Sequence, residues 1–397
     1  MEDVSMAAVC DRNDENLADA QVDIADADEP AAEEFDDHET MLEAVELDAV
    51  IVATSWRPHI PLAIKTLESD IYVATEVGPA STVEECWRLV RAAESSQAHA
   101  MLLENDCYKE DMLMALQMVR DGLFGELINT RCGYLHDLRA LINESHEIGR
   151  RSEGTWYRTL HNLKRNGDIY PTHGVGPISK YLGITRGNRF LSLKSTATKS
   201  RGLHEWAAEN LDADHPAQEY DWAMGDVITT TITCANGETV NITHDVALPR
   251  PKETQTLVQG TKGLWRNTDD SIYIDGRSPD HEWEPFEDYQ AEYGHPLWRQ
   301  YRERGLQGGH GGIDFLVLRD FLVSVKHDAR PPIDAYEFAT WRAISPLSEA
   351  SIANGGEPVS FPDFTNGAWM NREPEYAFDE PREGRPPVTA ILDDQQV

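Results

Sequence analysis

Between residues 4 and 105, short apolar runs alternate with helical patterns, and each run closes on a polar residue. Residues 4–10 close on Asp11, Asp48 to Thr54 ends on that threonine, Ile71 to Thr75 closes on Glu76, and Ala98 to Leu103 on Glu104 and Asn105. His59 to Leu67 and Val83 to Ser96 carry apolar residues at helical spacing. Strands apolar on both faces and separated by helices require a parallel sheet covered on both sides. Ligands bind such sheets outside the strand carboxyl ends, so Asp11, Thr54, Glu76 and Glu104 line the expected crevice. A dinucleotide-binding sheet also needs a strand, a Gly-x-Gly-x-x-Gly turn and a helix before the strand that ends in the ribose-binding acid. Asp11 is placed like that acid, yet no such turn precedes it. The expectation is a nucleotide domain lacking its first βα unit; an ordinary strand-end aspartate is the other reading. The dense glycine run Gly308 to Gly312 lies far away and does not match the fingerprint.

Residues 23–40 hold an acidic run, expected as a solvated loop or exposed helix. Lys109 to Arg120 reads as an amphipathic helix whose methionines are core. The period then changes. Residues 127–135, 190–198, 227–234, 239–246 and 271–274 alternate or are β-branched, the mark of a mostly antiparallel sheet. Two late helices follow, Ile313 to Val325 and Ala335 to Ala353, with Pro346 expected to kink or split the second. The tail from Asn371 is polar, Pro-rich and expected to be extended. The division expected is an α/β Rossmann-like domain over 1–105, then an α+β domain over 106–397 with an open-faced sheet.

Charge narrows the partners. Asp plus Glu number 70 against 35 Lys plus Arg, a formal net charge of −35, and only nine of the basic residues are lysine. A field that negative opposes nucleic acid and anionic membrane. Acid excess spread along the chain, with lysine scarce, points to a protein kept soluble in concentrated salt. The five cysteines are scattered without a Cys-x-x-Cys pair, which fits buried thiols in a reducing cytoplasm. No apolar run approaches bilayer length.

The densest chemistry lies between Arg158 and Pro177, with two histidines, two arginines and a tyrosine among glycines and prolines. If Pro171 opens a first turn, Tyr170 and His173 share a face. The run Ile178 to Leu182 reads as a helix ended by Gly183. A phenol and an imidazole together, with Arg158 and Arg165 upstream, suit acid–base work on a polar substrate. A capped helix start with a hydrogen-bonded core histidine fits the same residues.

Eight stretches, in order, carry a resemblance over about Val4 to Trp369. They are Glu76-Val77; Leu103-Glu104-Asn105 with Cys107-Tyr108; Gly133-Tyr134 with His136-Asp137-Leu138; and Arg165-Asn166-Gly167 with Tyr170-Pro171-Thr172-His173-Gly174. His244-Asp245 with Pro249-Arg250-Pro251, Gln259 to Gly263, Gly308 to Asp314, and Phe361-Pro362-Asp363-Phe364 complete them. The pattern resembles the Gfo/Idh/MocA superfamily and, within it, glycoside hydrolase family 109, the NAD-dependent α-N-acetylgalactosaminidases. That resemblance implies a bound NAD that accepts a hydride from sugar C3, elimination of the aglycone, water addition, and return of the hydride. It implies His173 as base and Tyr170 as its proton partner; Glu104, Tyr134, Arg158 and Lys252 at the sugar; and Asp11, Thr54, Trp56, His59, Glu76 and Asn105 at the cofactor. Lys252 stands where the family usually has a tyrosine. It further implies a sugar or glycoside substrate, a homo-oligomer and no metal.

Three other readings stay open. A plain sugar or polyol dehydrogenase of the superfamily typically carries Glu-Lys-Pro after the third strand, whereas this chain has Glu76-Val77-Gly78-Pro79. A non-catalytic sugar-binding protein is the second. A metal hydrolase using His136, Asp137, His173 and His310 is the third, although no metal-ligand spacing supports it.

Overall fold

A computed structural model describes residues 4–144, 156–304 and 309–373. The first half alternates as its pattern requires: β1 (Ala8–Cys10), α1 (Asp14–Asp26), β2 (Glu33–Phe35), α2 (His38–Ala44), β3 (Ala49–Val52), α3 (His59–Glu68), β4 (Tyr72–Thr75), α4 (Val83–Ser95) and β5 (Ala100–Leu102). Short polar side chains set three of the helix starts: Asn13, Asp37 and Thr82 accept hydrogen bonds from the exposed N–H groups of α1, α2 and α4. All strand pairings here are parallel. The sheet, however, is in two pieces, β1 with β2 and β3-β4-β5. In β4 Val73 and Ala74 are fully buried, whereas Ile51 of β3 is 44% exposed, so one face of β3 is uncovered.

The acidic run corrects one expectation. Part of it is β2, whose Glu33 and Glu34 are exposed beside β1, and part opens α2. Charged side chains are compatible with a strand at a sheet edge, where they face water.

The second half is built on a nine-stranded mixed sheet. Its strands are β6 (Leu127–Leu135), β7 (Phe190–Ala197), β8 (Val227–Cys234), β9 (Thr239–Asp245), β10 (Leu257–Gly260), β11 (Gly263–Arg266), β12 (Ser271–Ile274), β13 (Glu284–Pro285) and β14 (Val359–Ser360). They lie in the order β13-β12-β11-β10-β6-β9-β8-β7-β14, antiparallel except where β6 meets β9. Strands β10, β11, β13 and β14 are too short to show an alternation in sequence. In β8 the buried residues Ile228, Thr230, Ile232 and Cys234 alternate with more exposed ones, as one covered face demands.

Helices α5 (Glu110–Arg120), α6 (Arg139–Glu144), α7 (Trp156–Lys164) and α8 (Thr172–Tyr181) follow the first sheet, and α8 lies on β6. The helix Ala335–Ala353 packs on both α4 and β7, so a single hydrophobic core runs through both halves. One proline expectation is corrected: Pro346 does not split the helix Ala335–Ala353. Helix α8 begins at Thr172, directly after Pro171, and contains Pro177. An interior proline costs about 3 kcal/mol. Both helices are buried along most of their length, and the apolar area they cover outweighs that cost. The tail expected to be extended lies mostly outside the described residues. No helix among the described residues is long and apolar enough to cross a membrane.

Candidate functional site

Asp11, directly after β1, accepts from Asn13 N at 2.8 Å and Asn16 Nδ2 at 3.0 Å. Thr54 is exposed in the turn after β3, and Trp56 is buried one step further. Its indole lies against Gly78, whose φ is +152° and where an added Cβ would lie only 2.5 Å from Trp56 Cδ1, so no side chain is admitted. That fixes why Val77-Gly78 stands here.

His59, expected at the cofactor, lies in the interior. It is fully buried, donates through Nε2 to Thr54 O at 2.8 Å and accepts at Nδ1 from Arg342 at 3.1 Å. Burial and the neighbouring guanidinium push its pKa down to about 3, so the ring is neutral and structural. Arg342 also donates to Thr75 Oγ1 at 3.0 Å and to Glu76 O. One buried guanidinium thereby ties the ends of β3 and β4 to the helix Ala335–Ala353. Burial lowers the Arg342 pKa to about 9.

Glu104 and His173 meet at the end of β5. His173, in the first turn of α8, holds Glu104 Oε1 at 2.6 Å through Nδ1. Glu104 is fully buried and also accepts from Asp106 N at 3.1 Å. A carboxylate at Nδ1 makes that nitrogen the donor and leaves Nε2 for other partners. Burial pushes the imidazole pKa down, but Glu104 and then Asp106 push it up by more, so it lies above the ordinary histidine value. Asp106 is 3.9 Å from His173 and is held by Lys109 at 2.7 Å. Glu104, expected at the sugar, thus braces His173 through Oε1.

Aromatic rings wall the site. Tyr170 stacks on Trp56 at 5.2 Å and lies 5.0 Å from the His173 ring, with Tyr134 at 4.6 Å from Tyr170 and 5.6 Å from His173. Arg158, from α7, sits 4.7 Å over Trp56 and 5.0 Å over Tyr170. Burial raises the Tyr170 hydroxyl well above its usual range, so it acts as a neutral donor. Tyr134 OH meets His136 Nδ1 at 3.2 Å, and the exposed Lys252 exerts its charge on that same imidazole. Asn105 donates to Asp314 at 2.7 Å, and Asp314 bonds His310 Nδ1 at 2.7 Å. Glu76 is exposed within electrostatic reach of Glu104, His173 and Asp314.

The remaining expectations sort cleanly. Arg165 points away and pairs with Glu349 while donating to Ala80 O at 2.9 Å. Asp137 pairs with Arg139 at 2.8 Å, so His136, Asp137, His173 and His310 do not assemble into a metal site. Sequence reasoning missed Arg342, Asp106 and Lys109; only the short Asp106-to-Lys109 spacing was visible in principle.

The sequence pattern of Glycosyl hydrolase 109, C-terminal domain, matches residues 108–371, and that of the Oxidoreductase family, NAD-binding Rossmann fold, matches residues 1–103. The chain belongs to glycosyl hydrolase family 109. A family 109 protein of Stenotrophomonas maltophilia is 44% identical over 95% of this chain and 87% of its own length. An alpha-N-acetylgalactosaminidase of Tannerella forsythia is 45% identical over 86% of this chain and 75% of its own. A levoglucosan dehydrogenase in complex with NADH shares the fold, with a TM-score of 0.69 at 18% identity and 90% coverage of each chain.

The residues present fit NAD in part. Asn105 Oδ1 and Glu104 Oε2 are buried acceptors without a partner among the described residues, at the strand end where ligands bind. Among the described residues no glycine-rich turn lies beside β1, so the groups seen to suit the cofactor are those at the strand ends.

Proposed function

We propose that this family 109 chain is an NAD-dependent glycosidase acting on an α-N-acetylgalactosaminide-like glycoside, working by oxidation, elimination, water addition and re-reduction. The carrying observation is the His173–Glu104 pair, facing Tyr170, Tyr134 and Arg158 across one site. When bound, NAD supplies the hydride acceptor and donor. The chain's own residues supply the rest.

His173, oriented through Nδ1 by Glu104, presents Nε2 to take the proton from the C3 hydroxyl or C2 of the sugar and later return it. Tyr170, held neutral, and the Arg158 fork are donors aimed at the oxygen that becomes negative as the C2 proton leaves. Ordinary glycosidases instead need two opposed carboxyl groups. Here Glu104 braces His173 through Oε1 and Asp106 pairs with Lys109, so both carboxyls serve the base. Lys252, beside His136 at the edge of the site, contributes to the choice of substrate. The catalytic division of labour corresponds to a nucleotide half over 1–105 and a substrate half over 106–397. A homo-oligomer in the cytoplasm completes the reading.

Replacing His173 by Ala, or Tyr170 by Phe, is expected to lower turnover of an aryl N-acetylgalactosaminide by at least roughly tenfold with the circular dichroism spectrum unchanged. Near-normal rates in both variants would remove them from the mechanism. Steady-state reduction of free NAD⁺ by a sugar would instead favour a plain dehydrogenase.

A further inference from the structure

Beside the candidate site lies a second concavity of about 870 Å³ that the reaction does not use. Its floor is apolar, made by the buried side chains of Met114, Phe286, Trp298 and Ile313. On its wall stands Trp283, a large indole left 44% exposed. Arg266 lies 4.1 Å from the centre of that indole and is itself clamped to Asp269 by two hydrogen bonds of 2.7 and 2.6 Å. The guanidinium holds the ring in place from one side, and the cavity borders the rest. An exposed aromatic surface that is held rigid has the form of a stacking platform rather than of leftover surface.

The cavity touches the candidate site at two points. Lys109 lines it and donates to Asp106, 3.9 Å from His173. His310 lines it and bonds Asp314, which accepts from Asn105. Trp298 ties the floor to the same turn through Nε1 to Tyr108 O at 2.8 Å. A group attached to a sugar bound near His173 therefore has this cavity as its neighbour.

The lining chemistry narrows the occupant. Six carboxylates line it with one lysine; Asp269 is paired with Arg266 and Glu110 with Arg302, which leaves Asp111, Asp270, Glu284 and Glu287 without an arginine partner among the described residues. Carboxylates accept hydrogen bonds from hydroxyl groups, while an indole takes the C–H face of a pyranose ring. Anionic groups meet like charge there. Burial raises the Asp111 carboxyl to about 6, so a hydrogen-bond donor arriving beside it is rewarded.

Building on the glycoside reading, we infer that this cavity is the subsite for the aglycone side, taking a neutral pyranose ring against Trp283 and disfavouring sulfated or sialylated ones. Calorimetry with lactose and with lactose 3′-sulfate tests it without turnover. Lactose is expected to bind the full chain, with Trp283→Ala weakening it roughly tenfold, Trp283→Phe retaining most of it, and His173→Ala leaving it unchanged. The sulfate is expected to bind more weakly than lactose, the gap closing in 1 M KCl. Absence of lactose binding overturns the subsite, as does equal binding in Trp283→Ala or loss confined to His173→Ala. Failure to hydrolyse any N-acetylgalactosaminide, with Trp283-dependent lactose binding intact, counts against the glycosidase reading alone.

Discussion

At the scale of single residues, His173 gains its character from what stands behind it. A base works in its deprotonated form, and Glu104 and Asp106 hold the imidazole pKa above the ordinary histidine value. Glu104→Gln keeps the shape and removes the negative charge, so the His173 pKa falls. The acidic limb of kcat/KM is then expected to move to lower pH, alongside a lower rate because Nδ1 loses its charged partner. A pH–rate profile with an unmoved acidic limb would show that Glu104 does not tune the base. Much of this site was legible because its chemistry is local: Tyr170 and His173 are three apart, and Glu104 and Asn105 end one strand. Arg342 was not, because its partners His59, Thr75 and Glu76 lie more than 260 residues away in sequence. The bond between His59 and Arg342 was hidden for the same reason. The histidine's position after β3 implied a cofactor contact, while the group that bonds it comes from the other end of the chain.

At the scale of elements, the site depends on how closely α8 approaches β6. A Cβ at Gly174 would lie 2.6 Å from Gly133 N, and one at Gly133 would lie 2.2 Å from Thr243 O. Two bare backbones in contact place His173 on α8 beside Tyr134 on β6. Gly174→Ala sets two effects against each other. Helix propensity favours alanine by about 1 kcal/mol, whereas overpacking against a backbone that cannot swing aside costs about 1–3 kcal/mol. The contact is with backbone atoms, so the clash is expected to win: thermal denaturation should show a lower Tm, and turnover should fall because His173 is displaced. A raised Tm would mean that α8 has room to shift. The alternating strands and helices of the first half were legible because their strands are short apolar runs set between helical periods, with β4 and β5 buried on both faces. Glu33–Phe35 was not, since an edge strand of acidic residues has the composition of a solvated loop, and β10 and β11 are too short to display a period. Pro346 misled for a related reason: propensity marks where a helix costs most, and burial decides whether the cost is met.

At the scale of the whole molecule, charge acts in two opposite ways. Inside, Asp334 caps the helix Ala335–Ala353, bonding Arg186 at 3.1 Å and Arg372, with Arg330 at 3.8 Å. Burial raises its carboxyl, but these guanidinium groups lower it by more, to about 2. A folded-state pKa below the unfolded value means stability fully present above about pH 4 and lost as pH falls toward 2, on the order of 2 kcal/mol. Asp334→Asn is therefore expected to flatten the acid limb of a stability-against-pH curve. Outside, 70 acidic residues face 35 basic ones, and the surplus repels itself. Exposed pairs such as Arg91–Glu84 return little, about 0–1 kcal/mol each, and salt weakens them. Salt also shortens the reach of the repulsion, from about 10 Å at 0.1 M to about 3 Å at 1 M. With a net charge of −35 the repulsion is the larger quantity, so Tm is expected to rise steadily from 0.1 to 2 M KCl at pH 7. The buried Asp334 cluster is shielded from the added ions, and the midpoint of its acid limb should move far less than Tm does. A Tm indifferent to KCl would leave the acidic composition without a role in stability and end the reading of a protein suited to concentrated salt.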